Sequence, residues 1–179
     1  MSEEKKTGIV GFTASFREVM ADVPSGSKVV FAGSVAVCTP FIELLAYTVR
    51  DKNYEMLYVP RAEAEEARKI REVKNIGFCV VDEKGDPSNP AAIVILGGLA
   101  MPKFGVPPEN VLNMIKEISG YDASVSAEEK GEAKEEAEAE KGKPKIIGVC
   151  FMNIFERANW LSKIKFDVIT DTTMETVVK

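Results

Sequence analysis

The sequence predicts an α/β fold: a three-layer, Rossmann-like sandwich around a mainly parallel sheet of about six strands. Helix-like and strand-like apolar periodicities alternate along the chain, which is the pattern of α/β proteins. Several strand-like runs, such as Lys28–Gly33 (KVVFAG), are apolar enough to be buried on both faces, as strands of parallel sheets are. A length of 179 residues favours a single domain over residues 1–179.

The first half of the chain is predicted to hold three helices and three strands. Ser15 and Glu18 have the spacing of a capping box, and Pro40 suits the first position of a helix. The predicted elements are a helix with Phe12 and Phe16 on its inner face, a strand over 28–33, a helix starting at Thr39, a strand over 54–59, a helix over 61–74 and a strand over 76–81.

The second half is predicted to add three strands and two helices. Gly97-Gly98 ends one strand, Gly120 ends a helix, and Asn153 with Glu156 forms a second capping box. The predicted elements are a strand over 91–96, a helix from Pro107-Pro108 to Ile118, a strand over 144–151, a helix over 153–163 and a strand over 166–170.

Right-handed crossovers in a doubly wound sheet give an expected strand order near 3-2-1-4-5-6. The connection between the third and fourth predicted strands, about ten residues long, is short for a crossover helix. We therefore keep an antiparallel edge as an alternative.

Residues 121–143 form a low-complexity insertion rich in Ala, Glu and Lys. Such a tract cannot bury enough apolar surface to fold alone. It is interpreted as a charged flexible loop, and a docking segment for a partner is the alternative.

Composition limits location and partners. The N-terminal apolar run is too short for a signal peptide, no uncharged apolar stretch reaches the ~18 residues of a membrane span, and three cysteines suit reduced thiols. A cytoplasmic protein with no membrane partner is therefore expected. The net charge is −5, most of it in the insertion, and the lack of a basic excess argues against nucleic acid as a partner.

The chain contains no histidine. This excludes Ser-His-Asp and Cys-His catalysis and histidine zinc sites. Any chemistry must use carboxylates, lysine, arginine, hydroxyls, thiols or backbone dipoles.

Small and polar residues concentrate at the ends of the predicted strands. In an open parallel sheet, ligands bind beyond the carboxyl ends of the strands. We therefore expect the segments 33–40, 97–102 and 150–153 to meet at one rim of the sheet and form a ligand site. The cofactor, if there is one, cannot be named.

Six residues at these ends are candidate ligand-binding residues. Ser34 and Thr39 carry hydroxyls, Gly97 and Gly98 permit close backbone approach, and Arg61 could pair with an anion. Asn153 follows the fifth predicted strand. Each has a structural alternative: Thr39 and Asn153 as helix caps, the glycines as a turn, and Arg61 as the partner of a nearby glutamate.

Two residues, Cys38 and Asp171, are candidates for a catalytic role. Cys38 precedes a helix start, where the macrodipole would lower a thiol pKa, although a small buried residue is the alternative. Asp171 follows the last strand as a lone carboxylate. A metal site built from Cys38, Cys79 and Cys150 is rejected because these cysteines lack Cys-x-x-Cys spacing.

Five phrases carry a resemblance to a known family: FREVM, VVFAGSVAVCTPFIELLAYTVRD, VILGGLAMPK, IGVCFMNIFERANW and FDVITD. In this order they resemble the archaeal family domain of unknown function 2124, known chiefly from methanogens. The resemblance spans the chain except residues 1–6 and 121–143. It implies an archaeal cytosolic protein and carries over no catalytic residue.

Three hypotheses for function remain. The first is binding of a small anionic metabolite or cofactor at the strand ends, with or without catalysis. The second is a protein-interaction subunit, partnered by another protein or by copies of itself. The third is a thiol-dependent enzyme using Cys38. The apolar patch of the second hypothesis would comprise Met101, Phe104, Phe151, Met152, Phe155 and Trp160.

Overall fold

The computed structural model describes residues 6–125, 142–175 and 178, and within them it contains seven strands and four α-helices. The strands are β1 (Lys28–Gly33), β2 (Glu55–Pro60), β3 (Arg68–Val73), β4 (Gly77–Lys84), β5 (Ala92–Leu96), β6 (Lys145–Phe151) and β7 (Val168–Thr172). The helices are α1 (Gly8–Val19), α2 (Thr39–Thr48), α3 (Pro108–Ser119) and α4 (Ile154–Arg157), and short 3-10 helices cover Arg50–Lys52, Ala64–Glu66 and Gly97–Ala100.

The described strands form one sheet in the order β4-β3-β2-β1-β5-β6-β7. Neighbours from β2 through β1, β5 and β6 to β7 are parallel, whereas β3 is antiparallel to both β2 and β4. The order expected for the six predicted strands is confirmed, and so is the antiparallel edge. β3 is an additional strand between the second and third predicted ones.

The predicted helix over 61–74 is wrong, because the second half of this segment forms β3 and the first half holds only the 3-10 helix Ala64–Glu66. Its charged residues have helix-like spacing, but the backbone of β3 pairs with the open edge of β2, with Ile70 opposite Met56. A tight turn then leads into β4, with Asn75 at φ 65° and Gly77 at φ 114°. Tertiary pairing overrides local helix propensity here.

Two apolar cores lie on opposite faces of the sheet. Val29 and Phe31 of β1 point toward α1 and α2, while Val30 and Ala32 point toward α3 and α4. All four side chains are fully buried. This alternation makes β1 the centre of a three-layer sandwich.

Both predicted capping boxes are wrong. α1 begins at Gly8, so Ser15 and Glu18 lie within the helix rather than at its start. Asn153 makes no side-chain cap, because it has a left-handed backbone at φ 55°, and α4 ends at Arg157 instead of continuing to 163. Pro108 does start α3, and Gly120 at φ 72° ends it, as predicted.

The central part of the insertion, residues 126–141, lies outside the described residues. On its N-terminal side, Ala123 is fully buried and Ser124 forms a β-bridge with Ile164. In the described part of the chain, no helix combines the length and the apolar character that crossing a bilayer requires.

Candidate functional site

A cleft opens at the carboxyl ends of β1, β5 and β6. The chain leaves β1 for β2 on one side and later returns to β5 on the other, so the strand order reverses between β1 and β5. The helices that follow these two strands, α2 and α3, lie on opposite faces of the sheet, and such a switch point leaves a crevice at the strand ends. The cleft has a volume of about 260 Å³ and is lined by Val37, Cys38, Phe41, Leu96, Gly97, Gly98, Met101, Val149, Phe151, Met152, Ile154 and Arg157.

The two glycines after β5 bring the three strand-end segments together. A Cβ on Gly98 would lie 2.3 Å from Sγ of Cys38, and one on Gly97 would lie 2.7 Å from Cβ of Cys150 and 2.6 Å from Cγ2 of Ile154. No larger residue fits at either position without movement of its neighbours. The fold therefore brings the segments 33–40, 97–102 and 150–153 together at one rim of the sheet, as the sequence predicts.

Aromatic side chains form one wall of the cleft. The rings of Phe41 and Phe151 lie 4.9 Å apart between centroids, and Phe12 of α1 backs both at 6.2 and 5.4 Å. Phe12 is buried, while the other two are half-buried and reach the cleft. Such tilted ring contacts hold the wall in place beyond simple area burial.

The hydroxyls of Ser34 and Thr39, both candidates for ligand binding, interact with other groups of the protein instead. Ser34 is 2% exposed, and its Oγ donates a hydrogen bond of 2.8 Å to the carbonyl oxygen of Phe104. The side chain of Thr39 interacts with the hydroxyl of Tyr58, which itself donates to the carbonyl of Gly33 at 3.2 Å. Neither hydroxyl lines the cleft.

The thiol of Cys38 lies at the floor of the cleft and is 2% exposed. Burial raises the pKa of Cys38, and backbone hydrogen bonds from Ser34 and Gly98 offset this in part. The expectation that the start of α2 would lower this pKa is therefore wrong, because desolvation of the thiolate outweighs the backbone dipoles. The candidate nucleophile stays protonated at neutral pH.

The carboxylate of Asp171 has a structural partner that the sequence did not show. Its Oδ1 accepts hydrogen bonds from Sγ of Cys150 at 3.1 Å and from the backbone N–H of Asn153 at 2.9 Å. Burial and the neighbouring carboxylate raise the pKa of Cys150 to about 12. Asp171 thus connects β7 to the turn after β6. The side chain of Asn153, a candidate ligand-binding residue, does not line the cleft.

The cation of the cleft is Arg157 and not Arg61. Arg61 follows β2, and its Nε lies 3.6 Å from Oε1 of Glu63, as the structural alternative supposed. Arg157 ends α4 and lines the cleft, and its guanidinium has no partner among the described residues. In the sequence Arg157 has no feature that separates it from a surface arginine.

The electrostatics of the cleft follow from this lining. Among the residues that line it, the ionisable side chains are the protonated Cys38 and the charged Arg157. No hydroxyl, carboxamide or carboxylate side chain belongs to the same set. The site is an apolar surface with one positive charge.

Known proteins resemble this chain over nearly its whole length. Residues 7–175 match the model of a family described as "Uncharacterized protein conserved in archaea (DUF2124)". An uncharacterized protein of Methanocaldococcus jannaschii is 33% identical over 168 residues, which cover 94% of this chain and 87% of that protein. One of Methanothermobacter thermautotrophicus is 32% identical over 170 residues, covering 94% and 91%.

A solved structure has the same fold. It is the crystal structure of a protein of unknown function from Methanothermobacter thermautotrophicus, with a TM-score of 0.76 and 27% identity. The match covers 100% of this chain and 97% of the other.

Proposed function

We propose for this chain, which belongs to the archaeal family DUF2124, that the cleft at the ends of β1, β5 and β6 binds a small organic molecule. The observation that carries the proposal is the position of an apolar cleft at the point where the strand order reverses. Ligands of open α/β sheets bind at this place because the switch point leaves a crevice there.

The shape and lining of the cleft support binding. Ligand sites in proteins are concave and mostly apolar, with few polar groups that orient the ligand. Val149 and Leu96, both almost fully buried, form its base, and the half-buried Phe41 and Phe151 form a wall. A volume of about 260 Å³ is at the small end for ligand sites, so the molecule is small.

The same lining favours binding over proton-transfer chemistry. General acid–base catalysis needs a group that titrates near the working pH. Burial moves the pKa of Cys38 away from that range, and Arg157 stays charged. The lining thus supports the first hypothesis from the sequence in its non-catalytic form, and the thiol-enzyme hypothesis loses its main support.

A thermal-shift screen with a fragment library tests this function. A fragment at a hundred times its dissociation constant stabilises the folded state by ~2.7 kcal/mol, which raises Tm by about 5–10 °C for a chain of this size. Met101→Trp, which fills the cleft, should abolish the shift. Ile76→Trp, at an exposed position in the β3–β4 turn outside the lining, is the matched control and should preserve it.

The proposal fails if no fragment stabilises the wild-type protein. It also fails if the Met101→Trp variant responds to the same fragments as the control. In that case the fragments bind elsewhere on the protein.

A second candidate is self-association through the rim around the cleft. Val35, Phe104 and Met152 are 58%, 49% and 50% exposed, and they lie on the loops that form this rim. Of the apolar patch predicted from the sequence, Met101, Phe104 and Met152 are exposed. Phe155 and Trp160 are buried in the core and Phe151 is half-buried, so that part of the prediction is wrong.

Light scattering after size exclusion tests the second candidate. A dimer that Phe104→Glu dissociates would support it. A monomer at high concentration would contradict it.

A cytoplasmic location is part of the proposal. Cys38, Cys79 and Cys150 are all free in the structure, as cysteines in a reducing compartment are. Detection of the protein in the cytosolic fraction of its native cell supports this placement, and detection in the membrane fraction contradicts it.

A further inference from the structure

We infer that the ligand of the cleft is a small carboxylic acid, with an apolar body against the aromatic wall and its carboxylate on Arg157. This inference rests on the proposed function and names the class of molecule that the cleft takes.

Arg157 differs from the other five arginines, because each of those has a partner among the described residues and Arg157 has none there. Arg17 binds both carboxylate oxygens of Asp51, Arg50 lies over the ring of Tyr47, Arg61 faces Glu63, Arg68 binds Glu66, and Arg71 binds Glu83. Within the described residues, the guanidinium of Arg157 makes no hydrogen bond, ion pair or ring contact. Among the arginines of the described residues, the one without an internal partner is therefore the one at the cleft.

The donors of the cleft suit a carboxylate better than a phosphate. A guanidinium presents a rigid fork of N–H donors that matches the two oxygens of a carboxylate. A phosphate monoester carries nearly two charges and is normally held by several donors or cations. The lining contains one cation and no hydroxyl or amide side chain that could add further bonds. A singly charged carboxylate matches the one guanidinium that the cleft offers.

The apolar lining of the cleft suits a ligand with an apolar body. Sugars and nucleotides carry hydroxyl and ring polar groups that would lose their bonds to water in this cleft and find no side-chain partner. Each such group would weaken binding by roughly a factor of ten. The volume of about 260 Å³ also limits the ligand to a small molecule. A short-chain or aryl carboxylic acid meets both limits.

Calorimetric titration with benzoate, benzamide and phenyl phosphate tests the inference. Benzoate and benzamide have nearly the same shape and differ in charge. We expect benzoate to bind the wild-type protein about tenfold more tightly than benzamide, which is the factor of one charge-assisted hydrogen bond. We expect phenyl phosphate to bind no more tightly than benzoate.

Two variants at position 157 and one control complete the experiment. Arg157→Met should weaken benzoate about tenfold and leave benzamide unchanged, and Arg157→Lys should restore part of the difference. Arg61→Met removes the same charge from an arginine outside the lining and should change neither affinity.

The outcomes separate this inference from the proposed function. Equal binding of benzoate and benzamide, both insensitive to Arg157→Met, would overturn the inference and leave small-molecule binding intact. Tighter binding of phenyl phosphate that depends on Arg157 would overturn the choice of carboxylate. If none of the three molecules binds the wild-type protein, the inference is overturned, and the fragment screen decides the proposed function.

Discussion

Sγ of Cys38 occupies the place that a side chain on Gly98 would need, since a Cβ at position 98 would lie 2.3 Å away. Carbon atoms of side chains do not approach this closely. Cys38 is buried before α2, so it has no room to move aside. This pair therefore holds the loops after β1 and β5 in contact and closes the floor of the cleft.

Gly98→Ala should lower the free energy of unfolding by about 1–3 kcal/mol, the usual effect of overpacking a buried contact. Gly98 does not have a left-handed backbone, so the loss comes from the steric overlap with Cys38. Urea denaturation measures it.

The double variant Cys38→Ala/Gly98→Ala is the control for that steric argument. Removing Sγ should make the two substitutions non-additive, with the double variant more stable than the sum predicts. A fully stable Gly98→Ala protein, or strictly additive effects, would mean that the two loops do not touch in this way.

Cys79 should react with iodoacetamide before the other two thiols. Cys79 lies half-buried in β4, whereas Cys38 and Cys150 are buried and have a raised pKa. In the native protein at pH 7.5, peptide mapping should therefore find Cys79 modified first. Modification of Cys38 faster than a free thiol would revive the thiol-enzyme hypothesis.

The Cys150–Asp171 pair should make stability fall at alkaline pH. The pKa of Cys150 is about 12 in the folded protein, against an ordinary value of 9.0. Above pH 9 the unfolded chain loses this proton while the folded protein keeps it. The contribution of the Cys150–Asp171 pair to the free energy of unfolding is therefore complete below pH 9 and is lost between pH 9 and 12.

Comparison with Cys150→Ala isolates that contribution. The difference in the free energy of unfolding between the wild type and Cys150→Ala should shrink as the pH rises from 8 to 10.5. Other groups, such as Tyr54 and Tyr58, titrate alike in both proteins and cancel. A difference that stays constant over this range would contradict the raised pKa.

Loss of the ion pair between Arg17 and Asp51 should lower the stability of the protein at acid pH. Two hydrogen bonds from the guanidinium, of 2.7 and 2.5 Å, lower the pKa of Asp51 to about 2 from an ordinary 3.8. Its stabilisation is present above about pH 4 and is lost as the pH falls through 2. Side-chain carbon NMR should find Asp51 titrating near 2 in the wild type and near its ordinary value in Arg17→Gln.

The sequence predicted the parts of the fold that depend on local apolar pattern. β1 was placed correctly at 28–33, and β5 and β6 within one residue, because each is an apolar run bounded by glycine or proline. β3 was missed because its charged residues resemble a surface helix, and its partner is the open edge of β2.

The sequence predicted where the candidate site lies but not which residues line it. Strand-end geometry brought Gly98, Cys38 and Cys150 to one rim. The bonds that occupy Ser34 and Asp171 run to residues 70 and 21 positions away in the chain, and no local pattern shows them. Arg157 could be found only once the partners of the other arginines were known.

Methyl NMR of the methionines tests ligand binding in the cleft most directly. With ¹³C-methyl methionine in the protein, a titration with benzoate and benzamide reports on separate regions at once. Met101 and Met152 line the cleft, whereas Met20, Met56 and Met114 lie in the core. Saturable shifts of Met101 and Met152 without shifts of the core methyl groups are the predicted result. Unchanged Met101 and Met152 signals on saturation with benzoate, benzamide or a fragment that binds the protein would contradict a ligand site at this rim.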